Sequence, residues 1–503
     1  MLPSRATLLA LAFVFPFFVP VALASSSDQL TKKGRQAQAY NASGTDKYTR
    51  DDLDGAIDDY DHALRLDPGF AKAYYNRGLA KYDKGDFKEA IFDYDEAIRL
   101  NPQYEDAYVN RALAKDNIND LEGAIADDNL ALKLTPNDPF VFNNRGWAKY
   151  RKGDTDAAIL DYTLAIQLNP KMSQPYNDRG VAEKEKGATD LAIADYTRAI
   201  QLEPRDTQAY YNRAIAHSDE GKTDDAITDL DGALQINPGY ADAYLYRGEL
   251  KSQKEDWDGA LADYDQAIAF HPKSSEAYNE RGLAWYHKGS GDSAKTDFDR
   301  AIEINPNNVE AYNNRGNVKK DLQDWTGALA DYNQALEINP KYAYACNNRG
   351  IVEQATGAWD SAFADYTLAL KLDPKDVEAY GNLASLLDAR GDWNGAISYA
   401  NKAILIDHNF TQAYNNRGVA EYHKHDLAGA MADYDRALQI DPNDEHAYNN
   451  RGLAEQDRGD LEAAVMDFDL AIRINPQFSA AQYNRAWAKY DQGDILGALF
   501  DLF

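Results

Sequence analysis

AKAYYNRGLAKYDKGDFKEAIFDYDEAIRLNPQY, residues 71–104, reads as two short helices joined by a tight turn. Tyr74, Gly78 and Lys81 or Tyr82 fall at helical spacing and give one stripe. Gly85-Asp86 marks a stop and a start: glycine ends the first helix, and the aspartate side chain is expected to cap the second. Phe87, Ala90, Ile91, Tyr94, Ala97 and Ile98 make a second apolar face. Asn101-Pro102 closes it, because the residue before proline is pushed out of helical geometry. The small residues Gly78 and Ala90 let the two helices approach, with aromatic rings filling the remaining space. One such hairpin cannot bury both faces, so it needs copies of itself on either side.

The copies are present. Pro68, Pro102, Pro136, Pro170, Pro204, Pro238, Pro272, Pro306, Pro340, Pro374, Pro442 and Pro476 share a thirty-four-residue register that only His408 breaks. Thirteen full repeats start at residues 37, 71, 105, 139, 173, 207, 241, 275, 309, 343, 377, 411 and 445, and a partial fourteenth covers 479–503. The first is degenerate, with Ser43 where later repeats carry arginine. This period overrides the several-domain prior for a chain of 503 residues, since each unit touches only its neighbours.

The unit resembles the tetratricopeptide repeat (TPR) family. That pattern has an aromatic at the fourth place, glycine or alanine at the eighth, alanine at the twentieth and twenty-seventh, an aromatic at the twenty-fourth and proline at the thirty-second. Tyr74, Gly78, Ala90, Ala97, Tyr94 and Pro102 fill those slots. The resemblance implies an all-α TPR α-solenoid over residues 37–503. It would be a right-handed superhelix of antiparallel helix pairs, with first helices lining the concave face.

Residues 1–24 read as a secretory signal: Arg5, then an apolar run from Ala6 to Ala24, with Pro20 ahead of Ala22-Leu23-Ala24. Residues 25–36 form a short segment before the array. The expectation is a secreted or periplasmic protein. An uncleaved N-terminal membrane anchor is the alternative, because the run is nearly long enough to span a bilayer. The net charge of −29 lacks the basic footprint of a nucleic-acid binder, and fits solvated outer faces or a basic partner. Cys346 is alone, which rules out an intrachain disulfide, and it falls at an aromatic core slot, where a buried thiol is inert.

One departure from the family stands out. At the seventh place, where leucine is usual, stand Arg77, Arg111, Arg145, Arg179, Arg213, Arg247, Arg281, Arg315, Arg349, Arg417, Arg451 and Arg485. An unpaired charge beside the apolar stripe would be costly. Aspartate is as regular before the second-helix aromatic, as at Asp93, Asp127, Asp161, Asp195, Asp229 and Asp331. Repeat 377–410 replaces both, with Leu383 and Tyr399, and so predicts pairing within each repeat: Arg77 with Asp93, Arg145 with Asp161, Arg315 with Asp331. Asp59 has no arginine and is the expected exception, and repeat 377–410 the expected weak point. The alternative is an arginine ladder facing an anionic ligand.

Beside the arginines runs a second row: Asn76, Asn110, Asn144, Asn212, Asn314, Asn348, Asn382, Asn416, Asn450 and Asn484. A side-chain amide donates and accepts, which suits an extended peptide backbone. The row resembles the asparagine ladder of the repeat region of O-linked N-acetylglucosamine transferases, and the resemblance implies a concave groove that holds chains by their backbone. Tyr82, Tyr150 and Tyr422 would add apolar contacts, while Asp178, Tyr246 and Glu280 interrupt the row. The alternative is a solvent-facing residue copied at each duplication. The carboxylate-clamp mode of the family is not written here, since its places hold residues such as Tyr75, Leu79 and Asn110.

Chemistry is sparse. Gly221-Lys222-Thr223 follows no strand and lacks the earlier glycine of a phosphate loop, and His423 and His425 are not at helical ligand spacing. The expectation is no catalysis, no metal and no cofactor. The protein reads as a non-enzymatic scaffold for protein or peptide ligands. Alternatives are a structural connector that self-associates through the apolar C-terminal end (Ile495, Leu496, Leu499, Leu502 and Phe503), or a subunit recruiting substrate to a separate envelope enzyme.

Overall fold

The computed structural model describes residues 32–502, over which 28 helices run from Lys32–Thr49 to Ile495–Leu502. No strand occurs among the described residues. The expected signal, and the segment after it as far as residue 31, lie outside them. The chain divides into two units, Met1–Lys222 and Thr223–Phe503. In each, consecutive helices pair as hairpins, as Ala71–Asp83 does with Phe87–Leu100 in the first unit and Val309–Asp321 with Trp325–Ile338 in the second. The opening helix starts at Lys32 rather than at residue 37.

The turn within the hairpin needs a left-handed residue. Gly85 (φ +84°) and Gly153 (φ +92°) supply it without a Cβ penalty. Asp51, Asn119, Glu255, Gln323 and His425 take the same place at φ +58° to +64°. The capping expectation needs correction at Asp86, whose side chain makes no cap bond. Capping does occur where the helix carries glycine three residues on: Gly55, Gly123, Gly259 and Gly327 each donate a backbone N–H to the preceding aspartate at 3.0 Å.

The core is built on one contact. The second-helix ring lies against the first-helix glycine, so a Cβ on Gly146 would sit 2.7 Å from Tyr162 Cε1, and one on Gly316 2.6 Å from Tyr332 Cε1. Where the sequence has alanine instead, the ring is gone: Ala112 goes with Asp128, Ala214 with Leu230 and Ala384 with Ala400. Gly316→Ala is therefore expected to cost about 1–2 kcal/mol, the usual scale of overpacking. Adding Tyr332→Leu should give a double variant more stable than the sum of the two single losses, as read by urea denaturation.

Repeat 377–410 is not short of packing. Leu383, Leu386 and Leu387 are buried with Tyr366 and Ala396, and Tyr399 packs on this group, so apolar contacts stand where other repeats hold charges. Replacing a buried ion pair by well-fitted apolar groups is often neutral or stabilising, so of the two grounds for expecting a weak point there the lost ion pair is offset by packing, and the proline missing at His408 is the one that stands.

Candidate functional site

In eleven repeats the arginine is held between the two helices of its own repeat. Arg77 donates Nε to Asp93 Oδ2 at 2.9 Å and Nη2 to Asp93 Oδ1 at 2.5 Å, and Asp93 has no solvent exposure. Arg145 meets Asp161 at 2.8 and 2.6 Å, and Arg315 meets Asp331 at 2.9 and 2.6 Å. The fork geometry matches a carboxylate with two parallel bonds. Asp59, in the repeat without arginine, accepts from Ser43 at 2.6 Å and pairs with Lys47 at 2.8 Å.

Two further features were missed by the sequence reading. The third arm of the guanidinium, Nη1, crosses to the preceding repeat: Arg111 reaches Asp95 at 2.5 Å, Arg145 reaches Asn129 at 2.7 Å and Arg349 reaches Asn333 at 2.6 Å. The guanidinium also stacks on the ring three residues earlier, as Arg315 does on Tyr312 at 5.4 Å. One side chain thus ties its own two helices and the preceding one. A lysine one turn on completes the node in several repeats, with Lys81–Asp93 and Lys319–Asp331 both at 2.7 Å. With Nε, Nη1 and Nη2 each bonded to protein, as at Arg77 and Arg315, these guanidiniums serve as ties within and between repeats.

The asparagine row is partly structural. Asn76 donates to Asn41 at 3.0 Å, Asn212 to Asn177 at 2.9 Å, Asn348 to Asn313 at 3.0 Å, Asn382 to Asn347 at 3.0 Å and Asn484 to Asn449 at 2.9 Å. Asn314 reaches Asn279 at 3.2 Å and Asn450 reaches Asn415 at 3.5 Å. Asn110 turns to the Tyr75 hydroxyl at 3.1 Å, and Asn416 to the Gly381 carbonyl at 2.8 Å. The acceptors form a buried asparagine column one residue earlier (Asn41, Asn177, Asn279, Asn313, Asn347, Asn415, Asn449), while the row itself, Asn144 included, stays half-buried. The signal was the doublets, Asn313-Asn314 and Asn347-Asn348 among them.

The tyrosines make similar ties. The Tyr82 hydroxyl accepts from Asn117 at 3.0 Å and the Tyr422 hydroxyl donates to Asp457 at 2.7 Å. Burial, with a hydrogen bond to Glu185, pushes Tyr150 up to about 12.

Two of the three interruptions in the row, Asp178 and Glu280, are acidic. Asp178 accepts from Asn143 at 3.0 Å and from Gln174 at 2.8 Å, and burial outweighs these bonds, raising it to about 6. In the second unit burial, with Glu310 and Glu276 nearby, raises Glu280 to about 7. Burial, with Glu280 and Glu276, raises Glu249 to about 8. Beside them a cavity of about 290 Å³ is lined by Ser275, Glu276, Asn279, Asn308 and Glu310.

Elsewhere the side chains offer little chemistry. Burial pushes the Cys346 thiol up to about 11, away from the reactive thiolate. His423 Nδ1 meets Asp388 at 2.9 Å, and His425 is the left-handed turn residue. No cluster able to hold a metal ion occurs among the described residues.

These features define a class: all-α arrays of stacked helical hairpins, sealed by side-chain ties between repeats. Models described as tetratricopeptide repeat match residues 71–104, 141–172, 207–240, 241–309, 309–342, 366–398, 411–444 and 445–478, and one described as TPR repeat matches 44–85 and 180–221. Together they cover well over half of the chain, which belongs to the tetratricopeptide repeat family. Its fold is that of a protein–protein interaction scaffold.

Among solved structures, the APC/C hetero-tetramer Cut9-Hcn1 is similar at TM-score 0.52 and 13% identity, over 90% of this chain and 96% of that one. Yeast Tom70 aligns at TM-score 0.37 and 17% identity, over 92% and 97%. A tetratricopeptide repeat protein from Parabacteroides merdae aligns at TM-score 0.42 and 21% identity, over 49% and 98%. No curated protein matches the sequence.

Proposed function

We propose that the chain is an exported, non-enzymatic scaffold that holds extended protein segments along the first-helix face of its repeats. The observation that carries the reading is the row of half-buried amides, repeated in register within each unit. An amide has two N–H donors and a carbonyl with two lone pairs, so the single tie to the preceding repeat leaves capacity for a peptide backbone. The carboxyl groups at Glu249, Glu276, Glu280 and Glu310 crowd one another, and a lysine or arginine placed beside that row by a bound segment would relieve the crowding and favour their ionised forms. Export rests on the pattern of residues 1–24.

The test compares full-length protein with a variant carrying Asn314→Ala, Asn348→Ala, Asn416→Ala and Asn450→Ala, presented with an array of extended basic and acidic peptides. Basic peptides should bind the parent, and the variant should lose at least about tenfold in affinity, equivalent to about 1.4 kcal/mol. Thermal melting of both proteins separates lost binding from the lost repeat ties. Equal binding by a variant of unchanged melting temperature would remove the amide row from the binding surface.

A further inference from the structure

Glu183, Glu353, Glu421 and Glu455 occupy the place at which Lys81, Lys115, Lys149, Lys251, Lys319 and Lys489 pair with the buried aspartate in other repeats. In all four, Oε2 is buried with no hydrogen-bond partner. Glu183 faces Arg179 one turn earlier, Nε to Oε1 at 3.8 Å, and Asp195 from the second helix. Glu353 faces Arg349 and Asp365; Glu421 faces Arg417, Asp433 and Asp426; Glu455 faces Arg451, Asp467, Asp460 and Arg458. From the preceding repeat, the third arm of each arginine meets Thr163, Asn333, Asn401 and Asp435 in turn.

The charges at these nodes balance in two different ways. A lysine node sets arginine and lysine against its own aspartate and, in most cases, a second one across the repeat boundary, as Arg315 and Lys319 do against Asp331 and Asp299. At Glu183, Glu353 and Glu421 the cross-repeat acceptor is instead a neutral hydroxyl or amide. There arginine and aspartate already cancel, so the node is neutral only while the glutamate holds a proton. Ionised, it places a second carboxylate against the aspartate with no cation added.

We propose that these four glutamates are a proton-operated latch: each protonated carboxyl closes its node against the neighbouring aspartate, and deprotonation loosens the repeat. Burial first, then the facing aspartate, raises each glutamate to about 7. The folded value lies above the unfolded value of about 4.3, so the folded state binds the extra proton between them and stability falls as pH rises through that window. The folding equilibrium of a latch repeat then drops by up to about tenfold per pH unit per site, and levels off above neutrality.

The experiment is hydrogen exchange on the full chain at pH 6 and pH 8, corrected for intrinsic exchange, beside a variant carrying Glu→Gln at all four places. Asp178, Glu249 and Glu280 also titrate upward, so the variant and not pH alone is the control. The parent should lose protection at pH 8 in the second helices Thr189–Leu202, Trp359–Leu372, Leu427–Ile440 and Leu461–Ile474, and the variant should not. Equal loss in both overturns the latch. Infrared difference spectra of parent against Glu353→Gln give an independent reading at one repeat: a protonated carboxyl band at pH 6 supports the proposal, and its absence overturns it.

Discussion

Arg349→Met is expected to destabilise the second unit by about 3–5 kcal/mol, and Arg315→Met by clearly less, although the two arginines hold the same place in their repeats. The difference lies in what remains. Without Arg315, Asp331 keeps Lys319 at 2.7 Å. Without Arg349, Asp365 is left buried beside Glu353, with no lysine in that slot. The cost of breaking a buried pair is mainly the stranded charge rather than the lost attraction. It follows that removing the stranded partner should recover stability. Repeat 377–410 shows a combination that packs, Leu383 with Tyr399, so Arg349→Leu with Asp365→Tyr should be far more stable than Arg349→Leu alone. Urea denaturation of the full chain, with hydrogen exchange across residues 343–376, measures both effects. Equal losses for the two methionine variants, and no recovery in the double variant, would show that the node bears no such load.

Much of this was legible in the sequence for a local reason. Gly85 and Pro102 act within their own turn, so the hairpin and its register could be read from one repeat. The pairing of arginine with aspartate was legible because repeat 377–410 deletes both together. The third arm was not, because its acceptor belongs to the preceding repeat and varies among Asp95, Asn129 and Thr163. The link between glycine and ring was written in the sequence at Ala112, Ala214 and Ala384, yet it acquires a meaning only when the ring is seen to lie on the glycine. Adjacent asparagines posed a different problem. Asn313 and Asn314 look alike in sequence, and only packing decides that the first is buried and the second half-exposed. The half-buried row was therefore legible, and the buried column that anchors it was not.

Asp128→Leu is expected to raise the stability of the first unit by about 3 kcal/mol, a gain rather than a loss. Asp128 stands where most repeats place the aromatic ring, is 1% exposed, and leaves Oδ1 without a partner. Ala112, Ala124 and Ala148 form the small apolar cluster at this level of the repeat, with Ile125 packed on it. The groups around the carboxyl give it little relief. Asp127 is engaged by Arg111 and Lys115, Asp116 by Arg151, and Arg145 by Asp161. Burial, followed by Asp127, holds Asp128 well above the usual carboxylate range. Leucine removes an unsatisfied buried acid and fills part of the missing ring volume, and the sequence already pairs Ala214 with Leu230 at these two places. The gain should depend on pH in a definite direction. Because the folded value is raised, the parent loses stability as pH climbs above the unfolded value of about 3.9. The advantage of leucine should therefore be smaller at pH 4 than at pH 7, as measured by thermal melting at both. A destabilised Asp128→Leu at pH 7 would mean that the carboxyl is satisfied by a bound partner, and that the third repeat of the array holds a site rather than a flaw.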